Sequence, residues 1–478
     1  MLAFEIFYLL LVVLLSLYGL QRLILVIEGA LRPPRPRATE WGEEELPPVL
    51  VQLPVYNDGE VFLRLLDSIA RLDYPRELLS IQVLDDSDDG SSKPIGERVA
   101  QLAKQGFSIE HRQRTDRTGY KAGALAAGLE HSDAPFVALF DSDFVVPADT
   151  IRRLLPELKN PQVAFVQARW SFANPDTSLL TRVQAWMLDG HFALEHEVRA
   201  RGERFFNFNG TAGIWRRAAI DDAGGWRDLS ITEDLDLSLR AWFRGWQFRY
   251  RGDVMVPSDL PTEMSAYRTQ QNRWVSGSIQ TGRTMLTRIL AAPVSFWRKL
   301  DLLLAVTGNL CYPLIILLAF ALPHAIAIRL AERDRWLLYA DVPFFLLATG
   351  SVALFYWRAR GARSVGGSLW LLPALMALGM GMALHNSRAV FRGLTGAATV
   401  FERTPKAPKI AAPRRRRRDL LPWCEGAMLL YLLTIGLYAR EGVAAYSLPL
   451  VGLLAAGTGL VLFSRLQEAS ARSAESAR

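Results

Sequence analysis

Phe136-Val137-Ala138-Leu139-Phe140-Asp141-Ser142-Asp143 is the stretch whose reading decides the fold. Five apolar residues in a row read as a buried strand, and the run breaks directly on two carboxylates. Working outward, the pattern repeats. Residues 49–53 precede Pro54 and a polar turn, and residues 79–84 end on Asp85-Asp86. Residues 107–110 and 163–167 read as two further strands. Residues 61–72 have helical spacing, and residues 119–129 form a helix opened by glycine. Strands alternating with helices predict an open, mostly parallel, Rossmann-like α/β sheet. Ligands of such sheets bind beyond the carboxyl ends of the strands, where these acidic clusters stand.

Half of the 478 residues are hydrophobic, and they are unevenly spread. Residues 41–291 have soluble composition, whereas 1–30 and the region after 300 are rich in Leu, Ala, Val and Phe. Runs at 4–27, 302–328, 336–357, 421–438 and 446–466 approach the roughly 20 residues that cross a bilayer. No small-residue cleavage site follows the first, so it reads as a signal-anchor. Arg32, Arg35 and Arg37, and the run 414–418, mark the cytoplasmic side. The soluble domain then faces the cytoplasm of a multi-pass integral membrane protein, as in a bacterial inner membrane. Residues 369–390 pose a choice. A sixth span would place the 414–418 arginines outside, so an amphipathic interfacial helix is preferred.

The expected order is therefore a first span in 1–30, the soluble α/β domain in 41–291 and spans two and three in 292–366. An interfacial helix with a basic loop occupies 367–420, spans four and five 421–466, and a polar tail 467–478. Cys311 and Cys424 lie in apolar runs and suggest neither a disulfide framework nor a thiolate metal site. The net charge of +7 is modest and sits beside apolar spans, which favours anionic membrane lipids over nucleic acid.

Asp141 and Asp143 can both approach a hard divalent cation that bridges a diphosphate. Alone, such a triplet also reads as an acidic turn. Asp85 and Asp86, at the second strand end, can accept hydrogen bonds from a base or ribose, or belong to a helix cap or solvated turn. Thr232-Glu233-Asp234 offers Thr232 as a helix cap with acids in the first turn, or Asp234 as a general base. In Gln270-Gln271-Asn272-Arg273-Trp274, Arg273 can neutralise a diphosphate while Trp274 stacks on a sugar. An interfacial helix anchored by Trp and Arg fits the same string. Lys121 can pair with phosphate, although its flanking glycines are equally explained by helix packing. Asn209-Gly210-Thr211-Ala212-Gly213 is a flexible polar turn able to line a sugar path. His191 and His196 are five apart, share no helical face, and read as ordinary helix or interface residues.

Taken in order, these motifs resemble the processive members of glycosyltransferase family 2, the cellulose synthase superfamily. The strings at 82–87, 119–125, 208–213 and 266–274 resemble the plant cellulose-synthase-like A mannan and glucomannan synthases more than cellulose synthase itself. The resemblance implies a GT-A fold and inverting hexose transfer from a UDP-glucose or GDP-mannose type donor, with Mg2+ or Mn2+. It implies that Asp86, with Asp85 beside it, contacts the nucleotide and Lys121 the diphosphate. Asp141 and Asp143 then form the metal region, and Asp234 of Thr232-Glu233-Asp234 is the base. Gln270, Arg273 and Trp274 would hold the donor diphosphate and terminal acceptor sugar, and Asn209, Gly210 and Thr211 would border the acceptor.

Phe401, Thr404 and Lys406 are similar to the gating loop of bacterial cellulose synthase, with Arg403 in place of its valine. Two departures from that family are expected: a single span before the catalytic domain, and a short polar tail after residue 466 in place of a cyclic-dinucleotide-sensing domain. The expected product is a β-glycan of glucan, mannan or glucomannan type. A membrane glycolipid such as a glycosyl-diacylglycerol is the alternative. A transporter or scaffold with a degenerate nucleotide fold fits the intact carboxylate set poorly.

Overall fold

A computed structural model describes residues 2–36, 38–332, 341–359, 371–396, 420–439 and 447–476. Its centre is a seven-stranded sheet in the order β3-β2-β1-β4-β6-β5-β7. The five expected strands are β1 (Val49–Val55), β2 (Leu79–Asp85), β3 (Ser108–Gln113), β4 (Phe136–Leu139) and β5 (Val163–Phe172). Two were not read from the sequence: β6 (Gly213–Arg216) and β7 (Gln247–Ser258). β6 runs antiparallel between β4 and β5, and every other pairing is parallel. One face of the sheet buries Val51, Leu53, Phe62 and Ile81, and the other buries Leu50, Leu125, Phe165 and Trp215. Apolar packing on both faces is why the central strands lack alternation.

Among the described residues, five helices are long and apolar enough to cross a membrane: Leu2–Leu31, Gly308–Ile328, Asp341–Ala359, Leu421–Tyr438 and Leu448–Glu468. The second begins later than expected, because Phe296–Val306 is a separate helix that exposes Phe296 and Trp297. Of the expected third span, Trp336 lies outside the described residues, as do Phe401, Thr404 and Lys406.

From residue 371, where its described part begins, the stretch 369–390 is two helices rather than one. It contains Leu371–Gly381, about 16 Å long against a bilayer core of about 30 Å, and the start of Ala383–Thr395. The first half lies so close to the Leu448–Ser476 helix that a Cβ on Gly457 would sit 1.9 Å from the Ala377 carbonyl oxygen. The second half packs on the Met264–Ala291 helix, where a Cβ on Gly393 would meet the Ser276 carbonyl at 2.6 Å.

The expected polar tail is helical as far as Ser476, continuous with the apolar helix that begins at Leu448. Glu468 on it accepts hydrogen bonds from the Ser265 backbone N–H (2.8 Å) and from Arg268 Nη2 (2.7 Å). Ser265 lies in the first turn of the Met264–Ala291 helix, whose own N-cap residue Glu263 makes no side-chain cap. Glu468 thus supplies an orphan first-turn amide with an acceptor and sets a negative charge at the positive end of the helix dipole.

Candidate active site

β4 ends at Leu139 and delivers Asp141 to the rim of the sheet. The Asp141 N–H donates to Thr211 Oγ1 at 2.8 Å, which ties the strand end to the Asn209–Ala212 turn. That turn needs left-handed backbone at Gly210 (φ 78°) and at Ala212 (φ 56°). Lys121 projects from the first turn of the Tyr120–Leu129 helix. Its Nζ donates to Asp141 Oδ1 (2.5 Å) and to the Gly210 carbonyl (2.8 Å), and lies 3.7 Å from Glu233 Oε1. A Cβ on Gly210 would stand 3.2 Å from Asp234 Oδ2 and 3.4 Å from Lys121 Nζ. The missing side chain is what lets the turn, the lysine and Asp234 close on one another.

Asp86, Lys121, Asp141, Asp143, Asp234 and Arg273 all line one cleft of about 440 Å3, with Glu233, Asn209, Gly210, Gln270 and Trp274. Burial pulls the Arg273 pKa down, against the carboxylates of Asp141, Glu233, Asp143 and Asp234, all of which bear on it. Burial pushes Asp141 up, opposed by Lys121. Burial and then Glu233 push Asp234 up to about 7, again opposed by Lys121. A carboxyl poised there suits a general base at neutral pH.

Asp234 must be ionised to act as a base, so kcat/KM should fall as pH drops through about 7. Lys121→Met removes a cation that favours the ionised form. The acid limb of the pH–rate profile should therefore move to higher pH, and an unmoved limb would separate Lys121 from the base.

Two expected residues sit elsewhere, and Thr232 lines the cleft without making the expected cap. Asp85 turns away from the cleft and is buried, accepting from the Ser87 N–H (2.9 Å) and facing His111 Nε2 at 2.8 Å. Thr211 is buried beneath the cleft, where its hydroxyl accepts from Asp141 rather than reaching a substrate. Thr232 occupies the N-cap position of the Glu233–Phe243 helix, but its hydroxyl faces Thr281 Oγ1 at 3.0 Å and caps nothing. Two arginines were missed. Arg114 clamps both oxygens of Asp86 (2.8 and 2.6 Å), and Arg117 lies 3.4 Å over the Tyr56 ring in the same cleft. The Arg-x-x-Arg spacing after β3 was their only sequence signal.

The reading of the histidines also needs correcting. Gly190–His196 is a π-helix, so residues five apart do meet: the His191 and His196 rings are 4.2 Å apart. Asn209 lies between them, 3.1 Å from His191 Nε2 and 2.8 Å from His196 Nε2.

A second cavity of about 730 Å3 continues from the cleft, sharing Trp170, Leu188, Asn209, Thr232, Asp234 and Trp274 with it. It runs past Val12, Leu15 and Tyr18 of the Leu2–Leu31 helix and Tyr312 and Ile315 of the Cys311–Glu332 helix, as far as Asp341.

Among the described residues, no three His, Cys, Asp or Glu side chains form a self-sufficient metal cluster. Two carboxylates one residue apart on one cleft do fit Mg2+ or Mn2+, which take one or two carboxylates and complete their shell with phosphate oxygens and water.

Residues 47–277 match the glycosyltransferase like family 2. Among curated relatives, Glucomannan 4-beta-mannosyltransferase 2 of Arabidopsis thaliana is 46% identical over 266 residues, which is 54% of this chain and 50% of that protein. This chain thus spans about half the length of that relative. Probable glucomannan 4-beta-mannosyltransferase 9 of Oryza sativa subsp. japonica is 36% identical over 372 residues, 74% of this chain and 67% of that protein. Among solved structures, a mannosyltransferase of Pyrobaculum calidifontis in complex with GDP-Man and Mn2+ superposes with a TM-score of 0.55. It is 19% identical, with 82% of this chain and 100% of that chain covered, and it supports the GT-A fold. With identity that extends across two thirds of the rice protein, and a strand-end carboxylate cleft on a GT-A sheet, the chain belongs to glycosyltransferase family 2.

Proposed function

We propose that this chain is an inverting hexosyltransferase that extends a β-glycan at a membrane, with a nucleotide-mannose of the GDP-mannose type as donor. The observation that carries the reading is the shared wall: Asp234, Trp274 and Asn209 line both the carboxylate cleft and the cavity between the apolar helices. A donor in the cleft and an acceptor reaching in from the cavity meet at Asp234. The mannosyltransferase relatives support mannose.

Asp234 takes the proton from an acceptor hydroxyl, whose oxygen attacks the anomeric carbon on the face opposite the nucleotide. The bond to the diphosphate breaks, and an α-linked donor yields a β-linked product. Arg273 offsets the charge that develops on the leaving diphosphate. A divalent cation held by Asp141 and Asp143 would supply further charge neutralisation there. Asp86, fixed by Arg114, receives the nucleoside, and Trp274 offers its face to the acceptor ring. The catalytic domain faces the cytoplasm in this reading, supported by the basic segment after the first span: Arg35 pairs with Glu203 of the catalytic domain at 2.5 Å.

A second reading, transfer to a lipid-borne acceptor, is favoured by the aliphatic stretch of the cavity at Val12, Leu15, Leu318 and Leu322. Purified protein in bilayers, given radiolabelled GDP-mannose or UDP-glucose with Mg2+ or Mn2+, decides between them. The expected result is label from GDP-mannose in a long product cut by β-mannanase. Label from UDP-glucose alone would overturn the donor, and label confined to a chloroform-soluble product would overturn the polymer.

A further inference from the structure

The π-helix Gly190–His196 is wedged between the cleft and the membrane helices. A Cβ on Gly190 would meet Tyr356 at 2.7 Å and Phe355 at 2.9 Å, so only glycine lets the third span approach this closely. On the same face Arg22, from the first span, lies 4.8 Å from the Phe355 ring centre and donates to Glu195 Oε2 at 2.6 Å. The same oxygen is 3.4 Å from His191 Nδ1, and His191 Nε2 is 3.1 Å from Asn209 Oδ1. Burial opposes ionisation of Glu195, but Arg22, His191 and Arg199 outweigh it and hold its carboxyl well below the usual range. Arg199 is itself fixed by Asp301 at 2.8 Å. A fixed anion on one nitrogen of an imidazole sets the orientation of the ring and hence the partner of the other nitrogen.

Asn209 begins the turn on which the reactive groups are mounted. The Gly210 carbonyl holds Lys121, Thr211 holds the Asp141 amide, and the bare Cα of Gly210 backs Asp234. The turn carries left-handed backbone at Gly210 and at the non-glycine Ala212, so its shape depends on bonds from outside itself.

We propose that Arg22, Glu195 and His191 form a positioning relay that runs from the first membrane helix to Asn209 and sets the turn against which Lys121, Asp141 and Asp234 are aligned. None of the three needs to touch the reacting atoms. The relay makes the alignment of the carboxylates depend on the seating of the first span, some way from the nucleotide. It rests on the reading of Asp234 as the base.

A double-mutant cycle on kcat tests it. Arg22→Met and His191→Ala should each lower kcat about tenfold, since small misplacements of reacting groups are costly. The donor KM should stay within about twofold, and the double variant should be no slower than the slower single one, because either change breaks the same chain. His191→Gln, which keeps an N–H toward Asn209, should recover part of the loss. Should His191→Ala not be recovered in membranes, the cycle is run with His191→Gln.

Losses that multiply in the double variant would overturn the relay. So would a donor KM that rises in step with the fall in kcat, or parent-like kcat in the single variants. Asp234→Asn reports on the base separately: an active D234N variant refutes that assignment, while the cycle still reads coupling between Arg22 and His191 from the parent protein's own turnover.

Discussion

Asp234→Asn should lower the rate of sugar transfer about a thousandfold and leave donor affinity near that of the parent protein, the loss expected if Asp234 is the general base. Asparagine has the same shape and can still accept the Leu235 N–H bond that Asp234 Oδ1 now makes at 2.8 Å. It cannot take up a proton. The loss should therefore appear in kcat and not in binding. Label incorporation gives the first quantity and calorimetric titration with donor gives the second. Turnover near that of the parent protein would remove Asp234 from the chemistry.

Arg273→Ala should be nearly as damaging, with a fall of about 10²- to 10³-fold in kcat, the range for losing one preorganised group at a site of developing charge. Here the loss has two sources. The guanidinium no longer meets the leaving diphosphate, and Asp141, Glu233, Asp143 and Asp234 lose a cation that bears on all four. Without it, the Asp234 carboxyl rises further and less of it is ionised at neutral pH. Arg273→Lys restores the charge without the planar fork and should recover only part of the rate. If Arg273→Ala retained more than about a tenth of the parent rate, the guanidinium would be too far from the leaving group to matter.

The sheet was legible where burial on both faces wrote an uninterrupted apolar run, as at 136–140. β7 was not, because it is an edge strand. Last in the strand order, it carries Arg249, Arg251, Asp253 and Pro257, which break up the apolar run that marks a strand buried on both faces. β6 has four residues, too few to show a period. At the site, residue types were visible but their facing was not. Asp85 and Asp86 are adjacent on a strand end, so they point to opposite sides, and only Asp86 lines the cleft. The two histidines were dismissed on α-helical spacing, and the segment winds as a π-helix instead. Nothing in local composition announces that change of pitch, which accompanies the close packing of Gly190 on Phe355 and Tyr356. The break at Met382 was likewise hidden inside an apolar stretch.

The carboxylate of Glu468 has a consequence for biogenesis. A chain emerging from the ribosome makes the helix that carries Gln270, Arg273 and Trp274 about two hundred residues before it makes the acceptor for that helix's first amide. Until residue 468 has been synthesised and the Leu448–Ser476 helix has docked, that first amide has only water for a partner. In a newborn chain the start of that helix should therefore settle late, once Leu448–Ser476 has docked on it.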